Sequence, residues 1–542
     1  MKTKIVLLTL LSILNLRCLA QDWHWAKSTG GLNQDGGKSI CTDSNGNVYF
    51  AGQIMYPEAF FQTDTLIIVG FSDFFLAKYD GNGNELWVKQ FGGYNSEGNF
   101  EYAHSLLYDA NTNSVYMTGS FVGICQFGSY TLNSHSNNDK DAYIAKFDLN
   151  GNCIWAKSAG SGGNDACTGV AIYQNGSVII GGYMPYGGTV GTINIPGGGF
   201  FAEYDNNGNC MWAKNIFNSA TGAGTINIFD TDIFSEGNFT ATDTVVIDTI
   251  HIPTVGYLRG KVLSRFDSAG HVKWARIFGY PEINSGWGFS MDAEGNCYID
   301  GGFKGGYAVF GNDTIHSDTT DFFIAKYDRD GNFKWVRQSN SSLGASASSI
   351  YTDAIGNSYL TGGFSGNANF GGFNITSSAA GDGFIARYDS SGNCIGVRII
   401  DHVGAVSITS DVNANVYITG AFKNTMDFGS TNLISHGNSD IFVAKSGVIV
   451  GIEELKAAKN NTLLIYANPT TGKCTVTVPD DFLNAQDLIL TIFDNTGKII
   501  QQRKLEMNEG KIKIDLEQEA KGIYNVTLGN GKKVYGGRVV FQ

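Results

Sequence analysis

A chain of 542 residues exceeds one ordinary core, so several domains or a repeat array are required. Its 71 glycines, 7 prolines, 13% aromatic and 16% charged residues suit many short strands joined by Gly and Asn turns. A net charge of −13 with no basic stripe excludes nucleic acid as a partner, because affinity for phosphate backbones rests on Lys and Arg.

The first 20 residues read as a signal peptide: a basic start at Lys2 and Lys4, an apolar run from Ile5 to Leu16, and Ala20 placed for cleavage before Gln21. The apolar run is about 12 residues, short of the about 20 a membrane span needs, and no later stretch approaches that length. Arg17 is the wrong residue before Cys18 for a lipoprotein anchor. Eight cysteines follow, scattered and without CxxC or Cys/His spacing, so no zinc site is expected. Cys153, Cys210 and Cys394 hold the same position in different repeats and cannot pair with one another; free, partly buried thiols are expected.

Residues 21–446 carry a repeat. Tryptophan recurs at Trp25, Trp87, Trp155, Trp212, Trp274 and Trp335, at spacings of 62, 68, 57, 62 and 61 residues, with Gly396 in the next slot. Ahead of most of them stand an aromatic, an Asp and a Gly turn: Tyr79-Asp80, Phe147-Asp148, Tyr204-Asp205, Phe266-Asp267, Tyr327-Asp328 and Tyr388-Asp389. Each unit parses into four strands, A to D. In the first they are Lys38 to Thr42, Val48 to Gln53, Phe74 to Tyr79 and Glu85 to Gln90, with tight A–B and C–D links at Asp43 to Asn47 and Asp80 to Asn84. The longer B–C link, often with a Phe-Gly pair such as Phe127-Gly128 or Phe370-Gly371, predicts an extra hairpin.

The seventh unit has strands A, B and C near Ser407, Tyr417 and Phe442 but stops at Lys445, while the chain begins with an orphan D strand, Trp23 to Ser28. The two fragments complete one blade, so the expected fold is all-β: a seven-bladed β-propeller of four-stranded blades closed by its N-terminal strand. Motifs such as Asp43 to Gly52 and Asp321 to Trp335 resemble the bacterial SBBP β-propeller repeat family over residues 22 to 446. That resemblance implies the fold and says almost nothing about function. The fourth unit departs from it, with Ser264-Arg265-Phe266 for Ala-Lys-Tyr and Phe234 where most units have Asp, and predicts an irregular blade.

Residues 447–460 read as a linker. Residues 461–542 lose the repeat, gain Lys and Glu, and predict seven short strands in a small β-sandwich. Tyr466-Ala467-Asn468-Pro469, Thr470 to Lys473 around Gly472, Asp494 to Gly497, and Gly522-Ile523-Tyr524 resemble the type IX secretion C-terminal sorting domain of Bacteroidetes, with Ala467 where that family more often has Pro. The resemblance implies passage through the periplasm, recognition by the type IX machinery, and release or attachment at the outer cell surface.

The Asp-rich links offer oxygen ligands like the start of a calcium loop, but lack its bidentate twelfth-position acid and flanking helices, so they read as turn formers and calcium as a secondary reading. The residues leading into the inner strands are Asp35, Glu101, Asp165, Ile226, Asn284, Ala345 and Val403. The three adjacent acids suggest an acidic sector near the central funnel for a cation or basic group, with Trp287 as a stacking surface; capping carboxylates are the plainer alternative. The eight histidines show no metal spacing, and no nucleophile elbow or P-loop is present. The expected function is therefore a noncatalytic, exported binding or adhesion module, without a cofactor, for an extracellular glycan or protein. A propeller enzyme acting on polysaccharide and a structural surface-layer component are the rivals.

Overall fold

The computed structural model of the protein describes residues 23–93, 101–217, 223–241, 243–254, 258–285, 288–378, 381–401, 404–449, 463–466, 470–479, 482, 488–493, 499–505, 510–529 and 534–541. The signal peptide and most of the linker lie outside them. Among the described residues the chain is all-β, and no helix is long and apolar enough to cross a membrane.

The corners show why strands form where they do. Asp80 Oδ1 accepts from the N–H groups of Asn82 and Asn84, both at 2.9 Å, and Oδ2 accepts from Asn84 Nδ2, so one carboxylate satisfies the turn that Gly83 bends at φ 80°. The same arrangement recurs at Asp43, Asp148, Asp205, Asp292, Asp328, Asp353, Asp389 and Asp411. Their oxygens are committed to the turn. Against the penalty of partial burial, hydrogen bonds from Lys334 and Asn332 hold the Asp328 carboxyl at about 2.

In three units two residues grip the C–D turn of the next. Trp87 Nε1 donates to Leu149 O at 3.0 Å, and Lys78 Nζ reaches the same oxygen at 3.4 Å. Trp25 and Lys445 converge on Gly81 O, and Trp335 and Lys326 on Ser390 O. Each of these lysines also lies over a buried tyrosine of its own unit, Lys78 over Tyr49 at 5.0 Å. The Trp ring covers the turn glycine, which is why that position stays Gly: a Cβ on Gly208 would sit 2.7 Å from Trp155.

The B–C excursions do form hairpins, and several reach the preceding unit. Glu58–Phe60 pairs with the N-terminal strand Trp23–Gly31, Gly188–Val190 with Cys153–Gly160, and Asn367–Phe370 with Asn340–Ser341. Packing crosses the same borders: Phe74 meets Phe127 and Tyr143 of the following unit at centroid distances of 5.6 and 5.2 Å. The N-terminal strand Trp23–Gly31 pairs antiparallel with Asp440–Ser446 in a sheet with Ala405–Ser410 and Val416–Phe422. The innermost strands are Gly36–Thr42, Tyr102–Asp109, Ala166–Ile172, Ala223–Phe229, Phe289–Met291, Gly344–Thr352 and Ala405–Ser410. Each neighbours the next, and the last neighbours the first.

The fourth unit is irregular, as its sequence predicts. Arg265, in the Lys position, bonds Asp232 and takes Arg329 O, leaving the buried Trp274 Nε1 without a partner. Lys261 replaces the aromatic seen at Phe74 and is fully buried in an ion pair with Glu236. A parallel bridge, Arg259 with Glu282, joins this sheet to the next.

In the C-terminal segment, Leu464–Tyr466, Lys473–Thr477 and Lys511–Asp515 form one sheet, and Ile499–Lys504, Ile489–Phe493, Gly522–Gly529 and Val534–Phe541 another. Both contribute to one apolar cluster that includes Val476, Leu490, Ile492, Ile514, Val526 and Val539.

Candidate functional site

The three acids singled out in the sequence do not line the central channel. Each is buried at a border between units, facing a second carboxylate from the start of strand C: Asp35 with Asp440, Glu101 with Asp73, and Asp165 with Asp141. A glycine ending strand D makes room for each pair. A Cβ on Gly30 would meet Asp35 Oδ2 at 2.9 Å and Asp440 Oδ1 at 3.0 Å, and one on Gly160 would meet Asp165 Oδ2 at 2.7 Å and Asp141 Oδ2 at 2.8 Å.

Part of each pair caps backbone: Asp35 accepts from Gly31 N and Met55 N, and Asp165 from Ser161 N at 2.6 Å. Burial nonetheless pushes Asp35 up to about 6, with Asp440 adding to it, and Asp165 up to about 7, with Asp141 adding. Burial also lifts Asp73 to about 6, and Glu101, fully enclosed beside Asp73, well above its usual range. Sequence reasoning missed the partners. The signal was present in the recurring Asp that opens strand C at Asp73, Asp141, Asp321, Asp382 and Asp440.

At the equivalent position of the sixth unit the residue is small, and hollows open there instead. Ala345 stands where the acids stand and borders a cavity of about 690 Å³ with Gln34, Leu343, Phe364, Asp382 and Lys423. Asp382 accepts from Ser378 N and Oγ at 2.6 and 2.8 Å. A second hollow of about 620 Å³ lies across the connection that carries Ser342 and Leu343. Asn340, Asn367, Asn369, Asn374, His316 and Asp318 line it. Asp321 also borders it, but its oxygens accept from the hydroxyls of Ser317, Ser339 and Ser341. The exposed Tyr307 stands beside His316, ring centroids 6.2 Å apart.

The third cavity, about 540 Å³, is the channel that all seven innermost strands border, Lys38, His104, Thr168, Thr225, Ser349 and Ser407 among them. Among the described residues its lining holds no carboxylate. Burial, then Lys38 and Lys140, lower His104 to about 4, so it is neutral near pH 7. Trp287 lies outside the described residues. Among the described residues no group of three His, Cys, Asp or Glu side chains is arranged to hold a metal, and the eight described cysteines are free thiols.

Of the sorting-domain landmarks, Asn468, Pro469, Asp494 and Gly497 lie outside the described residues. Tyr466 is exposed at the end of its strand, with Lys511 over its ring at 5.5 Å. Gly472 takes φ 131° where a Cβ would meet Glu517 Cγ at 2.6 Å. Gly522 opens a strand in which the buried Tyr524 donates its hydroxyl to Ala520 O at 2.5 Å.

Comparison with known proteins bears on this segment most directly. Residues 464–542 match the secretion system C-terminal sorting domain family (Por_Secre_tail). That domain indicates export by type IX secretion toward the cell surface or extracellular space. An uncharacterized WD repeat-containing protein of Acanthamoeba polyphaga mimivirus is 23% identical over 78% of this chain, which spans only 38% of that relative's length. Among solved structures, Drosophila Semaphorin 2a overlaps 96% of this chain and 99% of its own at 7% identity and a TM-score of 0.41. The Dos1 propeller overlaps 79% of this chain and 97% of its own at 10% identity and a TM-score of 0.38. The architecture described above rests on strand pairing rather than on these overlaps.

Proposed function

We propose that the protein is an exported seven-bladed β-propeller that binds an extended extracellular glycan over units five to seven, with a C-terminal β-sandwich as its delivery label. Support for the ring is the circuit of innermost strands together with the N-terminal strand in the last unit's sheet. Support for delivery is the sorting-domain match over 464–542.

The observation that carries the binding reading is the pair of adjoining hollows. Asn340, Asn367, Asn369 and Asn374 line the outer one, and amide side chains present a donor and an acceptor at the spacing of neighbouring sugar hydroxyls. The inner one adds the apolar edges of Leu343 and Phe364 for a sugar face. The reading is noncatalytic. Cleaving a glycoside takes two carboxylates set across an open bond, whereas the converging pairs here are sealed within unit borders and Asp321 is saturated by serine hydroxyls.

The test is a glycan array probed with the full exported chain. A specific hit that Asn367→Ala with Asn374→Ala abolishes, and that Asn111→Ala in a turn elsewhere leaves intact, supports the reading. Silence across the array, or a hit indifferent to the asparagine changes, sinks it in favour of the surface-layer role.

A further inference from the structure

Four buried carboxylate pairs lie at unit borders, and they differ in what balances their charge. Lys261 pairs with Glu236, and its charge also acts on the neighbouring Asp300. His135 Nδ1 lies 2.7 Å from Asp141 Oδ2 beside Asp165, and His436 Nδ1 lies 2.7 Å from Asp440 Oδ2 beside Asp35. Among the described residues the pair of Asp73 and Glu101 has no such partner: the groups acting on it are neutral amides and each other.

It is also the pair with the most unused oxygen. Asp73 Oδ2 accepts from Val69 N and from the Gln90 side chain, but Asp73 Oδ1 and both oxygens of Glu101 are buried without a hydrogen-bond partner. The Val122 N–H lies near enough to favour the charged form of Glu101 without bonding it in normal geometry. Glu101 is 0% and Asp73 1% exposed. The unused oxygens converge, since a Cβ on Gly92 would meet Glu101 Oε2 at 2.6 Å and Asp73 Oδ1 closer still. Unpaired carboxylate oxygens at that depth are strongly unfavourable unless something neutralises them.

We propose that Asp73 and Glu101 hold a divalent cation of the calcium class at the border of units one and two. Two carboxylates supply hard, oxygen-only donors. The one soft donor nearby, Cys125, stands without the further Cys or His ligands that a zinc site takes among the described residues. The site ties strand C of unit one to the start of strand A of unit two, a border already joined by Glu101 N–H donating to Ser72 Oγ at 3.4 Å. It is separate from the amide-lined hollow, so the two proposals fail independently.

The experiment is calorimetric titration of the EDTA-treated full chain with calcium chloride, alongside thermal melting. The expected result is one saturable site whose affinity falls at least tenfold in Glu101→Gln and in Asp73→Asn, and is unchanged in the turn variant Asp148→Asn. Glu101→Gln should melt no lower than the metal-free parent, which shows that it folds. Absence of saturable calcium binding, or binding unchanged in Glu101→Gln, overturns the proposal and assigns the pair a shared proton instead.

Discussion

The indole N–H of Trp87 donates to the carbonyl of Leu149 in the next unit, 3.0 Å away, and that oxygen also receives Lys78 Nζ. Trp and Lys thus act together, and the recurrence of Ala-Lys-aromatic followed by Trp records one contact repeated around the units. Trp87→Phe should keep the packing and lose about 1 kcal/mol, the value of a hydrogen bond whose acceptor retains a second donor. Trp87→Ala should lose about 3 kcal/mol or more. Denaturant midpoints of the two variants check this; an unchanged midpoint in Trp87→Phe would show that the bond contributes nothing.

Glycine at the gripped turn is required twice over. Gly151 takes φ 79°, and a Cβ there would lie 2.9 Å from both the Trp87 ring and Lys89 Cγ. Gly128, in a hairpin, takes φ 63° with nothing within 4 Å of its Cβ position. Gly128→Ala should cost about 1 kcal/mol, from backbone strain alone, and Gly151→Ala distinctly more. Equal shifts in melting temperature would show that the Trp contact tolerates a methyl group.

Much of this was legible in the sequence, because local chemistry fixes it. Asp-Xaa-Xaa-Gly-Asn makes a corner wherever it occurs, and the strand limits of the C-terminal segment follow its alternation. What escaped was contact between units. Asp35, Glu101 and Asp165 were visible as a row, but their partners Asp440, Asp73 and Asp141 lie in other units, and only folding turns a solvated-looking acid into half of a buried pair. The asparagine-lined hollow was equally hidden, since it draws on Asn340 after one unit and on Asn367 and Asn374 in the hairpin of the next.

The buried pairs set a pH dependence of defined sign. Asp165, pushed up to about 7 from 3.8, binds more protons folded than unfolded between those values, so its contribution is lost as pH rises through 7. Asp35 acts likewise up to about 6. Turn aspartates act oppositely: Asp328, held at about 2, loses its contribution as pH falls below 3.8. Stability should therefore peak in mildly acidic solution. Melting curves in EDTA should show Asp165→Asn flattening the decline between about pH 4 and 7 and melting above the parent at pH 8; an unchanged slope would mean that Asp165 titrates normally.

The sorting domain predicts a location rather than a stability. A chain ending before residue 464 should accumulate in the periplasm of a host with type IX secretion, and residues 464–542 fused to a periplasmic reporter should carry it outward. Cell fractionation reads both. Surface delivery of the truncated chain would place the address elsewhere in the protein.

The seventh unit explains the missing tryptophan. In the other units a Trp of strand D covers the next C–D turn, but strands C and D of the seventh unit come from Asp440–Ser446 and Trp23–Gly31, so no hairpin turn exists for a Trp at 396 to cover. Gly396 stands there, and two residues on Arg398 takes over: its guanidinium lies 4.8 Å from the Trp23 ring centre, and Nη1 donates to Ser446 Oγ at 2.6 Å. One side chain thus holds both strands of the seam. Arg398→Met keeps the apolar stem and removes the charge over Trp23 and the bond to Ser446, at an expected cost of about 2 kcal/mol. Because the seam joins two strands far apart in sequence rather than a hairpin, the loss should appear first as local opening. Hydrogen exchange should quicken in Trp23–Gly31 and Asp440–Ser446 while the strands of units two and three keep their protection. Uniform quickening across all units would instead show that the units open only together.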